Sequence, residues 1–172
     1  PLYDGGIVTR VDCVSLGIVL NKKGERFYDE GEDFWPKRYA IWGRLVAKQP
    51  DQIAYSIIDQ KSIGRFMPSV FKSIKADTLE GLIEKLGLPK EQSLETIREY
   101  NAAVQPGTFD HSILDDCRTE GLEINKTHWA TTIDQGPFYA YPLATGITFT
   151  YMGVKVDKDA RITMADGSMA DN

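Results

Sequence analysis

Arg118 and His128 are the side chains here whose chemistry best suits gripping a small anion. A guanidinium presents a planar fork that takes a carboxylate through two parallel hydrogen bonds, and an imidazole adds a donor whose charge changes near neutral pH. Both lie in 108–136, a polar stretch without periodicity that also holds His111. A loop of that length inside a compact domain is usually functional or disordered. Further on, Thr148, Thr150 and Tyr151 bring three hydroxyls together, able to donate to a carboxylate, although alternating Thr and aromatic residues are also ordinary strand composition. Cys13 and Cys117 stand far apart and show neither CxxC nor metal-ligand spacing, so no disulfide framework and no metal are expected.

The elements that must position these groups read as β-β-α-β-α-α-loop-β-β, an α+β order. Residues 16–27 suggest an apolar strand, a Lys-Gly turn and a second extended run, hence a hairpin. In the aromatic segment 34–42, Pro36 suits the first turn of a helix running towards Lys48. Trp35, Tyr39 and Trp42 recur there at near-helical spacing, which favours packing against the core. Residues 53–59 are β-branched enough for a buried strand. The clearest helix is 77–86, with Asp77 as its expected cap, Leu79, Leu82, Ile83 and Leu86 as its apolar stripe, and Gly87 and Pro89 as its stop. A second helix, about 90–104, turns Leu94, Ile97 and Val104 inward. Residues 146–157 and Arg161-Ile162 read as a strand and hairpin.

A chain of 172 residues, 42% apolar and 26% charged, can bury one core without disulfides. Lys plus Arg number 20 against 25 Asp plus Glu, a net charge of −5, and the basic residues are scattered, so no nucleic acid partner is expected. No apolar run approaches the ~20 residues that span a bilayer. Cysteine usage fits a reducing, cytoplasmic setting. A complete nucleotide-binding enzyme should carry a strand, a glycine-rich turn and a helix offering N–H groups to phosphate. Neither GxGxxG nor GxxxxGK[ST] occurs, so the chain is expected to be part of a longer protein.

Read in order, the segments resemble one family closely. GIVLNKKGERFYDE looks like the strand-turn-"G-x-RF-x-x-E" lead-in to the capping domain of the succinate dehydrogenase/fumarate reductase flavoproteins. IAYSIID resembles their next strand, and ADTLEGLIEKLGLPKEQSLETIREYNAAVQPGTFD follows their long ordered block of helices and turn. FYAYPLATGITFTYMGVKVD resembles their return to the flavin domain. The resemblance implies a small sheet packed with helices, a substrate cap over 25–143, and flanking strands at 1–24 and 144–172 belonging to a Rossmann-type FAD domain that is itself lacking. The flanking edges, left unpaired, are expected to self-associate into a homo-oligomer.

Within the family, EDFWPKRYAIWGRLVAKQP and CRTEGLEINKTHWA most resemble tricarballylate dehydrogenases, which oxidise a propane tricarboxylate to cis-aconitate. The implied cofactor is FAD, held by the full-length protein and not by this segment alone. The implied partners are a small polycarboxylate, the protein's own FAD-binding domain, and an electron acceptor protein or quinone pathway, which would bring the enzyme to a membrane. Arg38, which follows Arg26-Phe27 and Glu30 and opens the next helix, matches the family's catalytic arginine. The loop here is longer than in fumarate reductases, so Lys37 or Arg44 could fill that place instead. His128, Arg118, Thr148, Thr150 and Tyr151 are the implied substrate contacts.

The sequence departs from the reductases in two places. Phe149 stands where they carry a substrate-binding histidine, with Met152-Gly153 replacing Gly-Gly, and Thr9-Arg10-Val11-Asp12-Cys13 does not reproduce the Thr-Glu-x-x-Arg proton relay of succinate-linked enzymes. Two other readings stay open: a flavin enzyme acting on fumarate, succinate, a ketosteroid or a urocanate-like acid, and a free-standing anion-binding module.

Overall fold

The structure, a computed structural model, describes residues 11–146 and 153–170. Its frame is one antiparallel sheet of four strands: β1 (Ile18–Asn21), β2 (Ile53–Ile58), β3 (Ile74–Ala76) and β4 (Phe138–Ala144), in the order β1-β2-β4-β3. Three helices pack on it: α1 (Trp35–Val46), α2 (Leu79–Leu86) and α3 (Lys90–Ala103).

Strand register decides which face each residue serves, because directly opposed residues of antiparallel strands share a face and neighbours along a strand alternate. Ile18, Ile57, Ala140 and Ile74 form one row across all four strands, with Leu20, Tyr55, Phe138 and Ala76 on the same side. That side is buried beneath α2 and α3, through Leu82, Ile83, Leu86, Ile97 and Tyr100. Removing each large aliphatic side chain from water contributes about 1.5–3 kcal/mol, and this face is the main store of stability. The opposite face carries Val19, Ala54 and Leu143, covered by Trp35, Trp42 and Val46 of α1. The aromatic spacing of 34–42 therefore is core packing, with Tyr39 at its margin.

Pro36 lies in the first turn of α1, as expected. The cap of α2 is Thr78, whose Oγ1 accepts from the Gly81 N–H at 3.1 Å, not Asp77; Gly87, at φ 64°, closes the helix in the left-handed conformation that glycine tolerates. The expected hairpin at 16–27 does not form. Asn21 Oδ1 accepts from the backbone of Lys23 and Glu25, which closes a turn, but β1 pairs with β2 across α1. β1 thus joins the same sheet as β2. Of the expected strand and hairpin, the turn is formed: Val156 bridges Ile162 antiparallel, with Thr163 N–H donating to the Lys155 carbonyl at 2.7 Å and Asp157 N–H to the Arg161 carbonyl at 3.0 Å, while 147–152 lie outside the described residues.

The stretch 108–136 forms no helix or laddered strand, yet carboxylates organise it. Asp115, buried, accepts from the backbone of Asp110, Cys117 and Trp129 at 3.0, 3.1 and 2.8 Å. Asp29 accepts from the backbone of Gly31 at 2.7 Å and of Thr127 at 3.1 Å, and also from the Thr127 hydroxyl. Side-chain acceptors here do the work that a ladder does elsewhere.

Candidate functional site

Arg38 sits one turn into α1, and its guanidinium is paired with Glu32, in the segment leading into that helix. The second Glu32 oxygen accepts from the Tyr28 hydroxyl at 2.7 Å. The hydrogen bond to Glu32 raises the Arg38 pKa above its ordinary value. Partial burial alone would raise the Glu32 carboxyl, but hydrogen bonds from Arg38 and Tyr28 outweigh it and hold the group below the usual carboxylate range. The arginine is thus fixed as a cation, an arrangement suited to anchoring an anion and poorly suited to giving up a proton. Its Nε is buried without a hydrogen-bond partner, so the group retains an unused donor. Of the alternatives, Lys37 pairs with Asp33 at 3.1 Å on the surface, and Arg44 stands exposed in the last turn of α1.

The long loop reaches this end of α1. Trp129, fully buried, lies with its ring centroid 5.6 Å from that of Phe34, and Gly31 abuts the His128 backbone so closely that a Cβ there would stand 2.2 Å from the His128 carbonyl oxygen. His128 Nδ1 lies 2.6 Å from the Asp115 carbonyl oxygen. A carbonyl only accepts, so Nδ1 carries the proton, and Nε2 of the neutral ring is an acceptor. Arg118 is directed elsewhere, to Glu120 at 2.8 Å and the Asp116 carbonyl at 3.4 Å, and makes no contact with Arg38 among the described residues. Thr148, Thr150 and Tyr151 lie outside the described residues.

Beneath this site is a buried charge cluster that sequence reasoning missed. Arg26 and Glu30 pair with side-chain exposures of only 6% and 0%. Glu30 also accepts the Val19 N–H of β1 at 2.9 Å, and Arg26 donates to the Ile124 carbonyl at 2.6 Å. Lys126, fully buried, donates to the Gly17 carbonyl at 2.7 Å; burial pushes its pKa down to about 8, against the opposing pull of Glu30. The "RF-x-x-E" motif therefore is a clamp between β1, the turn before α1 and the 115–130 loop. Its signal was legible as an Arg and a Glu four residues apart, but the burial that gives the pair its weight was not.

The second sheet face continues over β4 and β3. Ser56 and Tyr141 share a row there, and 63–73 crosses it, with the Phe66 ring edge-on to Tyr141 at 5.9 Å. An open pocket of about 500 Å³ lies between them, lined by Phe66, Pro68, Phe71, Lys72, Lys75 and Tyr141. Cys13, whose Sγ is 3.5 Å from Ser56 Oγ, is raised to about 12 by burial and is inert as a nucleophile at neutral pH; like Cys117 it is a free, buried thiol.

A dinucleotide needs a glycine-rich turn leading from a strand into a helix. The three α-helices begin after Phe34, Thr78 and Pro89, and Thr78 already satisfies its own helix. The described residues do not fit FAD as a self-contained site.

The whole of 5–172 nevertheless matches the profile of a family described as FAD binding domain. The chain is 30% identical over 158 residues to an NADH:acrylate oxidoreductase of Vibrio harveyi, covering 88% of this chain and 14% of that protein. It is 29% identical over 176 residues to a 3-oxosteroid 1-dehydrogenase of Mycolicibacterium smegmatis, covering 88% and 31%. In fold it is similar to the open conformation of a flavocytochrome c3 fumarate reductase, with a TM-score of 0.66 and 23% identity over 93% of this chain and 27% of that one. The chain spans less than a third of each of these proteins, and the family's description does not by itself assign it to a cap. The chain belongs to the FAD binding domain family of flavoproteins, whose cofactor in the full-length protein is FAD.

Proposed function

We propose that this chain is the substrate-capping segment of an FAD-dependent oxidoreductase of small polycarboxylates, of the tricarballylate dehydrogenase kind. One observation carries the reading. The two segments that most resemble those dehydrogenases, 32–50 and 117–130, meet in space, the Phe34 and Trp129 rings lying 5.6 Å apart although they are far apart in sequence. A tricarboxylate demands several cationic or donor groups, of which Arg38, near the start of α1, is one; His128 is proposed as a further contact.

The flavin chemistry resides in the part of the protein that binds FAD. What this chain contributes is binding, orientation and exclusion of water, which can supply much of a rate enhancement. Arg38, held by Glu32, anchors a substrate carboxylate; Thr148, Thr150 and Tyr151 are proposed as further donors, and Arg118 as a peripheral one. A second reading, a cyclic ketone substrate, is favoured by the aromatic lining of the pocket at Phe66, Phe71 and Tyr141 and by the oxosteroid dehydrogenase relative.

The test is an absorbance spectrum of the full-length protein, followed by anaerobic titration with tricarballylate, succinate and a 3-oxosteroid. Bleaching of the flavin band by tricarballylate alone is the expected result. Bleaching by the steroid alone would establish the second reading, and a protein without flavin would overturn both.

A further inference from the structure

Arg26, Arg98, Arg118 and Arg161 each donate from Nε to the carboxylate with which they pair. In Arg26 and Arg98 the pairing is two-pointed, Nε meeting one glutamate oxygen and Nη2 the other. Arg38 departs from this pattern among the described residues. Its Nη2 faces Glu32 Oε1, but its Nε, although buried, has no hydrogen-bond partner. The cause lies on the far side of the carboxylate. The Tyr28 hydroxyl donates to Glu32 Oε2 at 2.7 Å, so the oxygen that would complete a two-point pair is held by a phenol instead.

Tyr28 is itself fixed to the helix that carries Arg38. Its ring meets Trp42 edge-on, with centroids 5.9 Å apart and planes at 89°, and Trp42 is buried in α1 four residues beyond Arg38. The contacts therefore close a ring, from α1 through Arg38, Glu32, Tyr28 and Trp42 back to α1. The next carboxylate, Asp33, is occupied by the Phe34 N–H at 2.7 Å and by Lys37 Nζ at 3.1 Å. A buried donor without a partner is costly, and a carboxylate oxygen brought by a ligand would satisfy it.

We propose that Tyr28 is a positioning residue for Arg38: by holding Glu32 to a single contact, it keeps the rest of the guanidinium fork open to a substrate carboxylate. The inference rests on the reading above, in which Arg38 anchors such a group. Glu32 steadies the cation and is at the same time an internal rival for it, because it carries the same chemical group as the substrate. Without the phenol, Oε2 is free to turn onto Nε and form the two-point pair seen at Arg26. The substrate must then displace an internal carboxylate. Tyr28 acts through Glu32 and touches no substrate in this role.

Anaerobic stopped-flow bleaching of the flavin in the full-length protein tests it, with tricarballylate, or with succinate if that is the acid that bleaches. Each run gives a half-saturating concentration and a limiting rate for wild type, Y28F, E32Q and the double variant. Y28F keeps the ring against Trp42 and should raise the half-saturating concentration by about 3- to 10-fold, the worth of one hydrogen bond, with the limiting rate within about twofold of wild type. E32Q, a neutral and weaker rival, should lower it by about 2- to 5-fold. Adding Y28F to E32Q should change it by less than about twofold, because the rival that Tyr28 restrains is gone. A tyrosine that served packing alone would weaken binding equally in both backgrounds. If Y28F fails to fold, E32Q decides by itself, and weaker binding there overturns the proposal. Wild-type saturation in Y28F, or an equal effect of Y28F with and without Glu32, overturns it while leaving the polycarboxylate reading intact. A wild-type flavin bleached by neither acid overturns both.

Discussion

Replacing Glu30 by Gln keeps the shape of the side chain and removes its charge, in a place where solvent cannot compensate. The side-chain exposures of Arg26 and Glu30 are 6% and 0%, and the pair is joined by two contacts, Nε to Oε1 at 3.0 Å and Nη2 to Oε2 at 2.5 Å. A glutamine oxygen in the place of Oε1 can still accept from Val19 N–H and Arg26 Nε, but the amide nitrogen in the place of Oε2 confronts Nη2 of the guanidinium with a second donor. Breaking a buried pair by removing one partner's charge costs about 3–5 kcal/mol, because the other charge remains buried and uncompensated. For a chain of this size 1 kcal/mol shifts the melting temperature by about 2–4 °C, so Glu30→Gln should lower Tm by roughly 6–20 °C at pH 7. Thermal unfolding followed by far-UV circular dichroism measures it. Glu95→Gln is the control, since the Glu95–Arg98 pair is exposed and its loss should leave Tm unchanged. An E30Q midpoint within about 2 °C of wild type would mean that the clamp is solvated, and would refute the reasoning.

Lys126 gives a pH signature. Its pKa is lowered to about 8 in the folded chain, against about 10.4 when unfolded, so the folded state binds fewer protons between these values and stability rises with pH across that window, by about 3 kcal/mol in all. Urea unfolding of wild type and K126M from pH 7.5 to 10.5 isolates the contribution, and a flat difference between them refutes it. Gly31→Ala drives a Cβ into the His128 backbone and should destabilise by about 1–3 kcal/mol, with faster proteolysis within 108–136 as the readout; cleavage at the wild-type rate would show that the loop docks by other means.

The three helices and β2 were legible because each carries its signal locally: Pro36 in a first turn, a stripe at Leu79, Leu82, Ile83 and Leu86, and a β-branched run at 53–58. β3 was missed because three residues are too few to show a period. The false hairpin arose because the turn after Asn21 is real but sends the chain away, and β1 finds its partner more than thirty positions on, at Ile57 for Ile18. The polar composition of 108–136 gave an irregular reading, yet those same polar groups order it once Asp115 and Asp29 are in place.

The strand order has a temporal meaning. β4 is the last of the four described strands but lies between β2 and β3, so neither has its inner partner until residue 144 is available. Until β4 is made, the strands before it hold an open slot where the centre of the sheet will be, with apolar edges in waiting. Insertion of β4 converts two separate pieces into one body in a single late event, and a chain stopped short of it lacks the middle of its sheet rather than an end.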